Sequence, residues 1–194
     1  SIGMGLDNRI GSRFLRAGPA YGGSCFPKDT KAITSTGDQF STNLSVIKSV
    51  IKSNENRSKL LLNRVYEILH KKINKKKISF LGVTFKANTD DMRDSSSITM
   101  IPELSKKGAI IKYFDPTGFK KELSKFRNVS YSKNIKETIK DADLVIIHTE
   151  WNDFKSINFK HLARGKKFII YDMRNIYSEK KIKKQGFKYF SVGR

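Results

Sequence analysis

The chain has 194 residues, a formal net charge of +21 and 38% hydrophobic residues, including 13 Phe and 7 Tyr. That is the length of one domain with an extension, and the apolar share is enough for a core, which excludes a disordered chain. One cysteine, Cys25, excludes an internal disulfide and points to a reducing, cytoplasmic compartment. No apolar run approaches the roughly 18 residues of a membrane span, and no signal peptide is visible. The chain begins Ser-Ile-Gly without an initiator Met, which suggests a piece of a longer protein. The charge admits a nucleic-acid or acidic-lipid partner. Yet 29 of the 39 basic residues are lysines, and specific phosphate or base readout favours arginine forks. A solvated lysine surface that also recruits an anionic substrate is the simpler reading, with no nucleic acid and no membrane as partner.

In chain order, residues 1–40 are rich in Gly and small residues and read as short helices and loops around Cys25. Residues 43–72 contain no Gly or Pro, and Leu44, Ile47, Ile51, Asn54, Ser58, Leu61, Val65 and Ile68 recur at spacings of three and four. That stripe predicts one long helix, a spine that joins two units or pairs with its copy, interrupted by a polar centre at Asn54 and Ser58. From residue 76 the period changes. "KKISFLGVTF", "AIIKYFDP", "NVSYS", "DLVIIHT", "KFIIYDMR" and "FKYFSVG" read as strands. "SSSITMIPELSKKG", "GFKKELSKF", "NIKETIKDA", "FKSINFKHLARG" and "SEKKIKKQG" read as the helices between them. The alternation predicts an α/β fold with a doubly wound, mostly parallel sheet of five or six strands, preceded by a helical segment, with the division near residue 75. Such sheets bind ligands at the carboxyl ends of their strands.

Candidate chemistry lies at those ends. In "VTFKANTDDMRDSSS", Lys86 and Arg93 bracket Asp90, Asp91 and Asp94 just before a helix start. Cations beside a helix N-terminus suit a phosphate, and a salt-bridged loop is the plain alternative. The stretch is not the G-x-G-x-x-G fingerprint, since only Gly82 is present. Asp115 stands where a ribose-binding carboxylate would lie, or begins a turn before Pro116. Arg174 in "YDMRN" is another anion candidate, and no Cys/His cluster has zinc spacing, so no metal is expected. Around Cys25, Gly22 and Gly23 permit close ligand approach or positive φ. Lys28 and a helix start after Pro27 would favour the thiolate, and Asp29 could orient a water. On the residues alone, a nucleophile and a plain thiol both stand. A thiol redox protein would want a resolving cysteine, and a nucleic-acid module aromatic platforms or an arginine cluster; none is found.

Taken together, "RIGSRFLRAGPAYGGSCFPKDTKA" and "LGVTFKANTDDMRDSSS", with "YFDP", "ADLVIIHTEW" and "YDMRN", resemble the UDP-glucose/GDP-mannose dehydrogenase family in wording, order and spacing over nearly the whole chain. "GGSCFPKD" is closer to the UDP-glucose branch than to the GDP-mannose branch, which tends to Leu after the cysteine. The UDP-N-acetyl-hexosamine branch usually has His where Ser24 stands. The resemblance implies oxidation of UDP-glucose to UDP-glucuronate with two NAD, the aldehyde being captured on Cys25 as a thiohemiacetal and then a thioester. Asp29 would assist water or the alcohol, and Lys28 and Arg93 would touch NAD. Phe85, Lys86 and Arg174 would hold the UDP-sugar, and the segment from Phe14 through Leu15, Arg16 and Tyr21 to Gly22 would cover it. Arg9 would reach the sugar nucleotide of a neighbouring subunit, and helix 43–72 would build a homodimer. The family's N-terminal Rossmann domain, with the main NAD site and a further catalytic Lys, Asn and Glu, has no counterpart in this sequence. The chain therefore resembles the C-terminal half, and alone it is expected to turn over no substrate.

Overall fold

The structure, a computed structural model, describes residues 2–163 and 165–193, with residues 13 and 14 by backbone only. Six strands, β1 (Lys77–Leu81), β2 (Ile110–Phe114), β3 (Val129–Tyr131), β4 (Leu144–Ile147), β5 (Ile169–Asp172) and β6 (Lys188–Ser191), form one sheet in the order β3-β2-β1-β4-β5-β6. Every pairing is parallel. β4 is buried along its whole length, as a strand covered on both faces must be. Ile78, Phe80, Leu144 and Ile146 point into one core; Leu81, Val145 and Ile147 point into the other. That alternation is the strand period of two. Ser79, on the second face, is satisfied by donating to the Thr138 carbonyl at 2.6 Å.

The helices are α1 (Ile2–Gly5), α2 (Phe26–Gln39), α3 (Ser45–Ile68), α4 (Ser96–Lys106), α5 (Ile135–Ile139), α6 (Asn152–Lys155), α7 (Phe159–Ala163) and α8 (Glu179–Lys184). The long helix is real but shorter than 43–72. Its 24 residues rise about 36 Å, and beyond it His70 and Lys71 adopt positive φ, which a helix cannot continue through. Leu61, Leu62, Val65 and Ile68 of its C-terminal half belong to the core under the sheet. Its N-terminal half stands clear of the sheet and pairs instead with α2.

Three expected elements differ. α2 is a full 14-residue helix rather than a short one. "FKSINFKHLARG" divides into α6 and α7. "GFKKELSKF" makes only a 3-10 turn at Lys121–Leu123. β1 also stops at Leu81, because Gly82 turns at φ 77 with the Thr149 side chain packed where a Cβ would sit. The strand order reverses between β1 and β4, so the crevice of a doubly wound sheet opens at their carboxyl ends.

Candidate functional site

The loops at that edge are sewn together by side chains. Ser95 and Ser97 each donate to the Val83 carbonyl, at 2.7 and 2.5 Å, and Ser95 caps α4. Thr149 donates to the Thr84 carbonyl at 2.9 Å. His148, fully buried at the end of β4, meets Ser96 Oγ at 2.8 Å. Burial, reinforced by the nearby Arg174 charge, pushes its pKa down to about 3, so the ring is neutral. Asp115 resolves as the turn residue. One carboxylate oxygen accepts from Val83 N–H at 2.9 Å and the other from Thr117 N–H at 3.0 Å, and the residue is fully buried, so it is not open to a ribose.

Arg174 closes the edge. Its Nε donates to the His148 carbonyl at 2.9 Å and its Nη2 to the Phe85 carbonyl at 2.6 Å. Glu150 lies 3.0 Å from the same Nε, an ion pair without the alignment of a hydrogen bond. Burial lowers the Arg174 pKa, opposed by Glu150 and Asp172. One guanidinium thus ties the loops after β1, β4 and β5, and its Nη1 lies under Gly18, where a Cβ would come within 2.9 Å.

Gly18 belongs to a strap, residues 16–25, that carries the thiol over this edge. The strap is held at three points. Asn54 of α3 accepts from Tyr21 N–H and donates to the Tyr21 carbonyl, both at 3.0 Å, and Arg57 Nε donates to the Pro19 carbonyl at 3.1 Å. Gly23 N–H donates to the Arg93 carbonyl at 2.8 Å, at φ 90, with the Phe85 ring against its Cα. Tyr21 sets its ring edge-on to Phe26 at 4.7 Å. Cys25 follows as an exposed free thiol at the N-cap of α2, with Pro27 in the first turn and Asp29 one turn on. Both Lys28 and Asp29 are exposed and lie 3.2 Å apart.

The expected residues therefore gather unevenly. Gly22, Cys25, Phe85, Arg93 and Tyr21 meet where the strap crosses the β1 loop. Arg93 is gripped by Asp91 in a bidentate pair at 2.8 to 3.1 Å, which raises the Arg93 pKa and lowers that of Asp91. Lys86 is exposed, its Nζ 5.2 Å from the Phe85 ring centroid. Arg16 borders two cavities that meet at Arg174: one of about 440 Å3 against Asn54 and Arg57, one of about 330 Å3 against Asn88, Glu150 and Lys155. Leu15 is half-buried beside it. The Phe14 side chain lies outside the described residues. Arg9 is elsewhere, exposed and paired with Asp7 at 2.6 Å. A cavity of about 530 Å3 opens between α5 and α7, away from the thiol.

Sequence reasoning missed Asn54, Arg57, Glu150 and His148 as parts of this edge. The signal for Asn54 was visible: a polar residue breaking an apolar stripe.

Fold and edge together define a doubly wound α/β unit with a thiol-bearing strap across its switch point. Residues 79–179 match the UDP binding domain of the UDP-glucose/GDP-mannose dehydrogenase family, and residues 1–56 match its central domain. The chain belongs to that family. It is 40% identical to a UDP-glucose 6-dehydrogenase of Rhizobium meliloti over 99% of its own length and 44% of the relative's, and 38% identical to YwqF of Bacillus subtilis, again over 44% of that protein. It spans less than half of the curated relatives it matches. A solved UDP-glucose dehydrogenase from Pyrobaculum islandicum superposes with a TM-score of 0.79 at 28% identity, over 97% of this chain and 41% of that one.

Proposed function

We propose that this chain is the thiol-bearing and UDP-sugar-binding part of a UDP-glucose 6-dehydrogenase, with residues 1–75 carrying the thiol and spine helix and 76–194 the nucleotide-binding unit. One observation carries the reading: the lone cysteine is exposed, and its strap is docked by Gly23 and Phe85 onto the switch point, beside two cation-lined cavities. Lys86 and Arg16 supply exposed cations for the diphosphate, and Arg174 fixes the loops that shape the site.

The residues present fit the rim of an NAD site only. Lys28 and Arg93 are exposed cations near the thiol, with side chains 73% and 68% accessible, and no glycine-rich dinucleotide turn accompanies them. NAD, when bound, supplies the two-electron acceptor. Cys25 Sγ adds to the C6 aldehyde carbon, the carbonyl oxygen taking up the proton, and the oxidised adduct is a thioester. Water then attacks the acyl carbon, the C–S bond breaks with Sγ leaving as a thiolate, and the product departs as the carboxylate. Asp29, one helical turn beyond the thiol, accepts the proton of that water. The free thiol suits cytoplasmic operation. Dimerisation through the long helix is supported by Val46, Val50 and Leu60, which remain exposed on α3, and in that dimer exposed Arg9 would be the residue that reaches a neighbouring subunit.

The test is Cys25→Ser in the full-length protein. NADH formation should fall by at least 10³-fold with UDP-glucose binding intact; retention of a tenth of the activity would refute the thiol's role. The 194-residue chain by itself should form no NADH from UDP-glucose.

A further inference from the structure

The lysines are not spread evenly over this molecule. In a parallel sheet all strands start at one edge, and the segments leading into them are 69–77, 106–110, 124–128, 140–143, 165–168 and 183–188. Among the described residues these segments hold fifteen cations, fourteen of them Lys, against two carboxylates, Asp141 and Asp143. The loops at the opposite edge, 82–95, 115–120, 132–134, 148–151 and 172–178, hold five cations against six carboxylates. Among the described residues, Lys76, Lys106, Lys166 and Lys183 are the members of the fifteen in direct ion-pair contact with a carboxylate, and Lys77 and Lys140 lie near Asp141.

Fold electrostatics accounts for a part of this. The C-termini of α3, α4, α5, α7 and α8 all reach the amino edge, and each accommodates a cation or two. Five lysines within 71–77 and no carboxylate exceed that need. Substrate recruitment does not account for the rest either. Strands of three to five residues put the two edges about 15 Å apart, roughly two Debye lengths at physiological salt, so these charges are screened from the thiol edge.

We propose that the amino edge of the sheet is an electrostatic docking face for an anionic lipid bilayer, holding the thiol edge outward. The chemistry favours a bilayer over nucleic acid. Lysines act as point charges against a diffuse negative surface, whereas base and phosphate readout prefers guanidinium forks and aromatic platforms. Arg127 is the single Arg among the fifteen, and Ile110 is the only large apolar side chain counted as exposed on these segments among the described residues. Binding is therefore peripheral, without an inserted wedge; no helix among the described residues is long and apolar enough to cross a membrane. This inference does not depend on which nucleotide sugar the thiol edge takes.

The experiment is co-sedimentation of the chain with vesicles of 30% phosphatidylserine in phosphatidylcholine, beside pure phosphatidylcholine vesicles and a 20-base-pair DNA duplex. Two variants carry equal charge change: Lys72→Glu, Lys125→Glu, Lys167→Glu and Lys188→Glu on the edge, and Lys31→Glu, Lys52→Glu, Lys59→Glu and Lys133→Glu away from it. Circular dichroism checks that both fold. The wild type should bind the anionic vesicles at 100 mM salt and leave them at 500 mM, and the edge variant should bind at least about tenfold more weakly, the other within about threefold. Equal losses in both variants, equal binding to neutral vesicles, or tighter binding to the duplex at matched salt would each overturn the proposal.

Discussion

A methyl group on Gly22 would lie 2.6 Å from the Asp94 carbonyl oxygen, and one on Gly23 would lie 2.7 Å from the Phe85 ring at a φ that L residues avoid. Neither partner gives way cheaply, since one is backbone and the other is wedged under the strap. Gly22→Ala is expected to lower unfolding free energy by about 1–3 kcal/mol in a urea titration, the range for overpacking a fixed site. A change within a few tenths of a kcal/mol would mean that the strap floats. His148 makes a second residue-scale prediction. Its folded pKa, about 3, is depressed from 6.5. Above pH 6.5 both states are neutral and the ring contributes no pH dependence. As pH falls below that, the unfolded chain takes a proton that the native ring refuses, so stability drops by about 1.4 kcal/mol per pH unit until about pH 3. Buried Asp172, whose pKa is raised by desolvation, works in the opposite direction, so the difference between proteins is the readout. Between pH 6.5 and 4.5, His148→Gln should lose about 2–3 kcal/mol less than the wild type; parallel curves would show a solvated histidine.

At the scale of elements, the long helix does two jobs along one stripe. Its C-terminal half supplies core residues, and its middle supplies Asn54, whose side-chain amide matches both the N–H and the C=O of Tyr21. Asn54→Ala removes two hydrogen bonds and leaves half-buried backbone groups unmatched. It should cost about 1–2 kcal/mol and expose the strap near Arg16 to trypsin faster than the wild type; unchanged cleavage would show that Gly23 and Arg57 alone hold it. The helix itself was legible from its three-and-four spacing, and the strands from their apolar runs between turn signals. What Asn54 is for was not legible, because its partner lies 33 residues away and is backbone. Arg174 reaches 89 residues to the Phe85 carbonyl, and backbone acceptors leave no mark in residue types. Glu150 was passed over for the same reason: its role exists only once β4 and β5 are neighbours.

At the scale of the molecule, the excess lysines and the strap that carries Cys25 occupy opposite edges of one parallel sheet, and the composition alone hid this. A net charge of +21 reads as a uniform property until topology sorts the lysines. Part of the motif wording falls in the loops at the carboxyl edge, where a doubly wound fold concentrates function, and so was legible as local sequence. The proposed function rests on recognition of a uridine-diphosphate sugar at this edge. Isothermal titration of the chain with UDP-glucose, against GDP-mannose and against Lys86→Ala, tests it most directly. Saturable heat is expected for UDP-glucose, with at least about tenfold weaker binding of GDP-mannose and a similar loss on removing the Lys86 charge. Equal affinity for the two nucleotide sugars, or no heat with UDP-glucose, would contradict it.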